Sequence, residues 1–317
     1  MSTLRAAVVG SGNMGRHHVR ILSSMPDIEL VAVVDPDTAR ALPHAVAAGT
    51  GVVSTVGELT EIDFAIVATP TQYHLEVASE LMRRGVSVLI EKPLAGNPED
   101  AQKLVALAAE CGVVLATGHV ERFNAAVNLV GKLVTEPLLV SFERLSPYTP
   151  RIKDSIVFDL MVHDLDLACW LAGGYPTSVS AAGHKVFSDT FDVCSAVLGF
   201  ESGCVVNLQA SRVTQDKIRR ISVSERDRFI VADSVRQDVS LKREVEVEYS
   251  DEGGASAYRQ ANIVEVPYLD RSGEPLAREL RDFIEAVRGE HPPLVSGEAG
   301  LSAVRLAFAV EQAAAGA

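Results

Sequence analysis

Leu4-Arg5-Ala6-Ala7-Val8-Val9-Gly10-Ser11-Gly12-Asn13-Met14-Gly15 is the stretch on which the fold turns. Its first half is apolar without alternation, the pattern of a strand buried on both faces. Gly10, Gly12 and Gly15 follow at G-x-G-x-x-G spacing, and the residues beyond them read as a helix. In such a loop the first glycine allows a tight turn and the second lets backbone approach a pyrophosphate. The third lets the helix pack on the strand, and Asn13 and Met14 fall inside the same loop. Outward from here, Leu30 to Asp35, Phe64 to Thr69, Val86 to Glu91 and Val113 to Thr117 read as further buried parallel strands, with amphipathic stretches between them. This is βαβ rhythm, and it predicts a doubly wound parallel sheet of the Rossmann type over residues 1–120. The clearest helix begins at Asn97-Pro98-Glu99-Asp100, with an Asn cap, Pro at the first helical position and acids in the first turn, and ends near Gly112.

Beyond Val120 the rhythm changes. A helix is expected over Arg122 to Val134, a strand over Leu138 to Arg144, and then a helix containing His163. Strands dominate afterwards: Thr177 to Phe187, Phe191 to Phe200, Gly203 to Ser211, Arg219 to Ser224, Phe229 to Ala232 and Asp238 to Tyr249, with a polar turn over Asp251 to Ala257. Glu274 to Gly289 and Gly297 to Ala315 read as closing helices. Residues 121–317 are therefore expected to form an α+β domain with a large, mainly antiparallel open sheet. An apolar sheet face including Val193, Val197, Val205 and Leu208 points to a homodimer or homotetramer formed through that sheet.

With 317 residues the chain is long enough for two cores. A hydrophobic fraction of 47% with 22% charged residues is that of an ordinary globular protein, not a disordered one. The net charge of −13 argues against a nucleic-acid surface or an anionic membrane as partner, since both need summed positive potential. No apolar segment at the N-terminus suggests export. The four cysteines (Cys111, Cys169, Cys194, Cys204) show no metal or disulfide spacing and read as reduced thiols, so a cytoplasmic location is expected.

Asp35 closes the second strand twenty residues after Gly15, where a carboxylate accepts hydrogen bonds from an adenosine ribose and repels a 2′-phosphate; NAD is the expected cofactor. Ala68-Thr69-Pro70-Thr71 and Glu91-Lys92-Pro93 end later strands at the same carboxyl edge of the sheet, where ligands of open α/β sheets bind. In the second domain Asp159, His163 and Asp166 stand at i, i+4 and i+7 in a largely apolar run and share one helix face. An imidazole one turn from a carboxylate suits general acid/base chemistry near neutral pH. Asp166 can equally be a structural partner of a nearby Arg.

This combination of glycine fingerprint, Ala-Thr-Pro turn, Glu-Lys-Pro and Asp-x-x-x-His-x-x-Asp resembles the Gfo/Idh/MocA oxidoreductase family. The resemblance implies Lys92, Asp159 and His163 as the catalytic group. It implies a cofactor site of Gly10, Gly12, Asn13, Met14, Gly15, Asp35, Thr69, Pro70, His74, Glu91 and Lys92. The stretches around Gly118 to Asn124 and Arg144 to Pro147 look similar to the branch that oxidises the 3-hydroxyl of UDP-N-acetylglucosamine. On that likeness Arg122, Asn124 and Arg144 join Lys92, Asp159 and His163 in binding substrate, since forked and amide donors suit phosphates and hydroxyls. The expected activity is NAD-dependent oxidation of a secondary sugar hydroxyl. Two rivals stay open: a myo-inositol or free-sugar dehydrogenase, and a non-catalytic NAD-sensing regulator.

Overall fold

Strands β1 (Leu4–Val9), β2 (Ile28–Val34), β3 (Gly51–Val53), β4 (Phe64–Val67), β5 (Ser87–Glu91) and β6 (Leu115–Gly118) form one parallel sheet in the order β3-β2-β1-β4-β5-β6. The computed structural model describes residues 2–150, 154–250 and 256–316. Helices α1 (Gly15–Ser23), α2 (Thr38–Ala47), α3 (His74–Arg83) and α4 (Pro98–Cys111) link the strands. Strand order reverses between β1 and β4, the switch point at which such sheets open a crevice. Because both faces are covered, the middles of the strands are apolar on both sides: Ala7, Val9, Val67 and Ile90 belong to one core, Ala6, Val8, Phe64 and Ile66 to the other. The Asn97 side chain accepts from the Asp100 amide and Gly112 closes α4 at φ 66°, as the caps predict. Strand β3 was not foreseen; three residues carry no periodic signal.

The chain divides into two compact units, residues 1–120 with 273–308, and residues 121–272 with 309–317. The expected second domain over 121–317 therefore gives up its helical stretch 273–308. Helix α7 (Pro275–Val287) buries Leu280, Phe283 and Ile284 against the core that holds Ala6 and Val8, and the Phe283 ring meets Phe64 edge-on at 5.6 Å. Its apolar stripe had no partner assigned from sequence, and the first sheet supplies one. Helix α8 (Gly297–Ala315) closes the chain.

In the second unit β7 (Leu139–Leu145), β8 (Ser178–His184), β9 (Val193–Gly199), β10 (Val205–Ser211), β11 (Ile218–Ser224), β12 (Arg228–Asp233), β13 (Asp238–Ser250) and β14 (Ser256–Glu265) form a sheet ordered β14-β13-β12-β11-β7-β10-β9-β8. All neighbours are antiparallel except β7 and β10. The helix expected over 122–134 is a 3-10 turn, Val120–Phe123, followed by α5 (Ala125–Leu133). Helix α6 (Val162–Ala172) is preceded by a π turn, Val157–Met161. Helix α5 lies against β12 and β13, and α6 with its π turn against β10.

Alternate residues Val206, Leu208 and Ala210 are buried on that helix-covered face, while Val197 and Val205 are exposed on the other. Leu208 pairs with buried Ala196, one residue out of phase with Val197, so it does not belong with Val193, Val197 and Val205 on the open face. Strand β14 replaces the end of the expected turn over 251–257, of which 251–255 lie outside the described residues. Among the described residues no helix is long and apolar enough to cross a membrane.

Candidate active site

The glycine loop is built by close backbone approaches. A Cβ on Gly10, whose φ is 95°, would stand 2.6 Å from the Ala68 carbonyl oxygen, and one on Gly15 would stand 1.8 Å from that of Gly10. No residue larger than glycine fits at either position. Gly12 is different, because nothing lies within 4 Å of its would-be Cβ. Its backbone therefore faces open space at the start of α1, the place where a pyrophosphate rests on a helix N-terminus. Met14 takes the N-cap position of α1 without a side-chain bond, and exposed Asn13 accepts from Arg16 at 2.9 Å.

Asp35 is fully buried and heavily engaged. Its Oδ2 accepts from the Ser11 amide at 2.8 Å and the Ser11 hydroxyl at 2.6 Å, and its Oδ1 from the Asp37 amide at 2.9 Å. The Arg40 guanidinium lies 2.8 and 2.9 Å from the two oxygens. Burial alone would raise this carboxyl, but the bonds from Ser11, Arg40 and Asp37 outweigh it and hold it below the usual range. The side chain presented outward is Arg40, 55% exposed. Sequence reading missed it, although a cation five residues past Asp35 was the available signal.

Two expected cofactor ligands turn inward. His74 is 1% exposed, with Nε2 3.0 Å from the Thr69 carbonyl and Nδ1 3.1 Å from that of Pro93. It braces the Thr69-Pro70 turn against the Lys92-Pro93 turn rather than offering a donor to a ligand, and burial lowers its pKa. Glu91 is also buried and lies 2.7 Å from His18 of α1. Lys92, the next residue, is half-buried, as is Thr69, and Pro70 is exposed.

In the second unit Asp159 sits in the π turn and His163 in the first turn of α6. Both are half-buried in a segment where Ile156, Val157, Met161, Val162 and Leu165 are wholly buried. Insertions of this kind recur at functional sites, and the spacing leaves an acid and an imidazole about one turn apart on the accessible side. Asp166 does not share that side. It is buried and takes a two-pronged ion pair from Arg122, at 2.7 and 2.6 Å, with the Arg122 guanidinium also 5.3 Å from the Trp170 ring centre.

The expected substrate donors are likewise committed to the fold. Arg144 is buried, grips Asp164 at 2.7 and 2.6 Å and reaches Glu121 at 3.0 Å. Burial opposes its charge, but those two carboxylates override it and raise its pKa. Asn124 caps α5, its Oδ1 accepting from the Ala126 amide at 3.1 Å and its Nδ2 donating to the Ser234 carbonyl at 3.1 Å. Arg122 and Arg144 thus serve the fold, each the partner without which a buried carboxylate would be left uncompensated, and Asn124 serves it as a cap. Burial pushes the Cys169 and Cys194 thiols up to about 12, which leaves them inert at neutral pH.

A family model described as an oxidoreductase family with an NAD-binding Rossmann fold matches residues 4–119, and one described as a GFO/IDH/MocA C-terminal domain matches residues 141–231. The chain is 31% identical over 316 residues to UDP-N-acetylglucosamine 3-dehydrogenase from Acidithiobacillus ferrooxidans, covering 99% of this chain and 98% of that protein. A solved structure of that enzyme superposes with a TM-score of 0.88 over the same shares. Inositol 2-dehydrogenase from Rhizobium meliloti is 26% identical, covering 97% of this chain and 96% of its own length.

Proposed function

Since the chain belongs to the Gfo/Idh/MocA oxidoreductase family and is an NAD-dependent oxidoreductase, we propose that it oxidises a secondary hydroxyl of a nucleotide sugar, the 3-hydroxyl of UDP-N-acetylglucosamine or a close relative. What carries the reading is the pair Asp159 and His163, a half-buried acid and imidazole about one turn apart beside the wholly buried Val157, Met161 and Val162. The whole-length likeness to a UDP-N-acetylglucosamine 3-dehydrogenase supports the choice of substrate over an inositol.

Gly10, Gly12 and Gly15 with the start of α1 would hold the dinucleotide pyrophosphate, and Arg40, set across buried Asp35, would meet the adenosine ribose, with Asp35 reaching it where Arg40 moves aside. Bound there, NAD supplies the hydride acceptor. His163 takes the proton of the hydroxyl being oxidised, and Asp159 orients the ring and stabilises its protonated form. Lys92 donates to the oxygen on which charge develops. In the reverse direction His163 returns the proton.

The test is to mix protein, NAD and UDP-N-acetylglucosamine and follow nicotinamide absorbance, with a 2-oxo acid present to draw off retained hydride. Substrate-dependent reduction is expected. No reduction, with turnover of myo-inositol instead, overturns the substrate choice. We further propose a homodimer or homotetramer formed through the open face of the second sheet, which carries Leu139, Val197, Val205 and Phe229 in exposed positions. A reducing cytoplasm suits its four free thiols.

A further inference from the structure

Beneath the Glu91-Lys92-Pro93 turn lies a set of buried ionisable groups that the reaction above does not use. Glu91 is 8% exposed; its Oε1 stands 2.7 Å from Nε2 of wholly buried His18, and its Oε2 accepts from the Lys92 amide at 3.3 Å. Gly118 of β6 closes over it, since a Cβ there would stand 3.1 Å from Oε2 and 3.2 Å from the Glu91 Cα. From α7 comes Glu279, 2% exposed, with no hydrogen-bond partner for either carboxyl oxygen among the described residues. It falls on the apolar stripe of Leu276, Leu280 and Phe283, within electrostatic reach of Glu91 and Asp282. An acid on a core-facing stripe was the sequence signal that went unread.

Two ionised carboxylates cannot share such a space cheaply, and an uncompensated buried charge loses its charge before it disrupts the fold. Burial, then the charges of Glu91 and Asp282, raise the Glu279 carboxyl well above the usual range. We propose that Glu279 is a positioning residue for Lys92: buried and without a hydrogen-bond partner of its own among the described residues, it leaves Glu91 the carboxylate bound to His18 and to the Lys92 amide, and so holds the Glu91-Lys92-Pro93 turn in place. Ionisation of Glu279 sets a second negative charge within electrostatic reach of Glu91, weakens that hold and frees the turn. The titratable groups around the pair include His18 from α1, His74 from α3 and Asp282 from α7. The catalytic role of Lys92 rests on the proposed dehydrogenase activity, whereas the buried unit does not.

Two measurements test this without any sugar. An acid whose folded-state pKa is raised contributes stability that is whole below its unfolded pKa and drains away as pH climbs toward the folded value. Between about pH 5 and pH 9 the melting temperature of Glu279→Gln should therefore gain several degrees on wild type. A gap that does not change with pH overturns the proton on Glu279. Acylation of Lys92, read by peptide mass spectrometry against exposed Lys103, reports the turn itself. In wild type the Lys92 to Lys103 ratio should rise several-fold at the alkaline end, and in Glu279→Gln it should stay level; identical courses overturn the positioning. Turnover tells the two ideas apart. No sugar oxidation alongside both expected results removes the dehydrogenase reading and leaves the positioning intact. Sugar oxidation with an unaltered alkaline limb in Glu279→Gln does the reverse.

Discussion

His163 is the one imidazole of its segment and stands half-buried, the side chain there suited to general acid/base work. His163→Ala should lower kcat by about 100- to 10,000-fold, the usual contribution of one general acid/base. NAD should still raise the melting temperature, because the glycine loop lies in the other unit. Arg40 is the second residue with a measurable signature. With its guanidinium across Asp35, the repulsion of a 2′-phosphate is partly cancelled. Arg40→Ala should therefore favour NAD over NADP by roughly tenfold more than wild type does, as read by calorimetric titration with each dinucleotide. An unchanged ratio would show that Arg40 has no say in cofactor choice.

Helix caps and buried ion pairs decide the elements. Asn97 and Asn124 have the same chemistry and both cap helices, yet only Asn97 was legible, because Pro98 and two acids follow it. Asn124 is followed by an apolar run that carries no cap signature. Asn124→Ala should cost about 1 kcal/mol in urea unfolding, since the α5 N-terminus loses its acceptor. Removing Arg122 is harsher. Arg122→Leu leaves Asp166 buried without its cation and should cost about 3–5 kcal/mol, with Asp166→Leu added in the double variant restoring part of the loss. Equal stabilities of the single and double variants would contradict a coupled pair.

Across the whole molecule, α7 is held to the first unit by charge as well as by its core contacts. Asp27 accepts from Arg281 at 2.7 Å and from Arg288 at 2.9 Å. The Arg281 bond, helped by Arg288 and only partly opposed by burial, holds the Asp27 carboxyl well below the usual carboxylate range. A depressed carboxyl contributes stability that is present above its unfolded pKa, near 4, and is lost as pH falls through the folded value. Wild type should therefore lose stability faster than Asp27→Asn below about pH 4, as followed by urea midpoints. On the open sheet face, Val197→Glu should lower the particle mass seen by light scattering if copies pair there, since it sets charge in the middle of the apolar patch.

The residues alone determined five of the six parallel strands, the glycine loop after the first of them and the one-turn spacing of Asp159 and His163. Each of these is written in local order: apolar runs without alternation, three glycines at fixed spacing, and Asp159 four residues before His163. The burial of His74 and Glu91, the commitment of Arg122, Arg144 and Asn124 to the interior, and the return of α7 to the first sheet were decided only by the tertiary structure. The physical reason is that a polar side chain has the same letter whether it meets a ligand or a buried partner. Which one it meets depends on groups 20 to 44 residues away for Arg144 and Arg122, and 110 away for Asn124. Burial makes those distant partners obligatory, because a polar group taken from water must be paired in the fold, and only the packed chain shows with what.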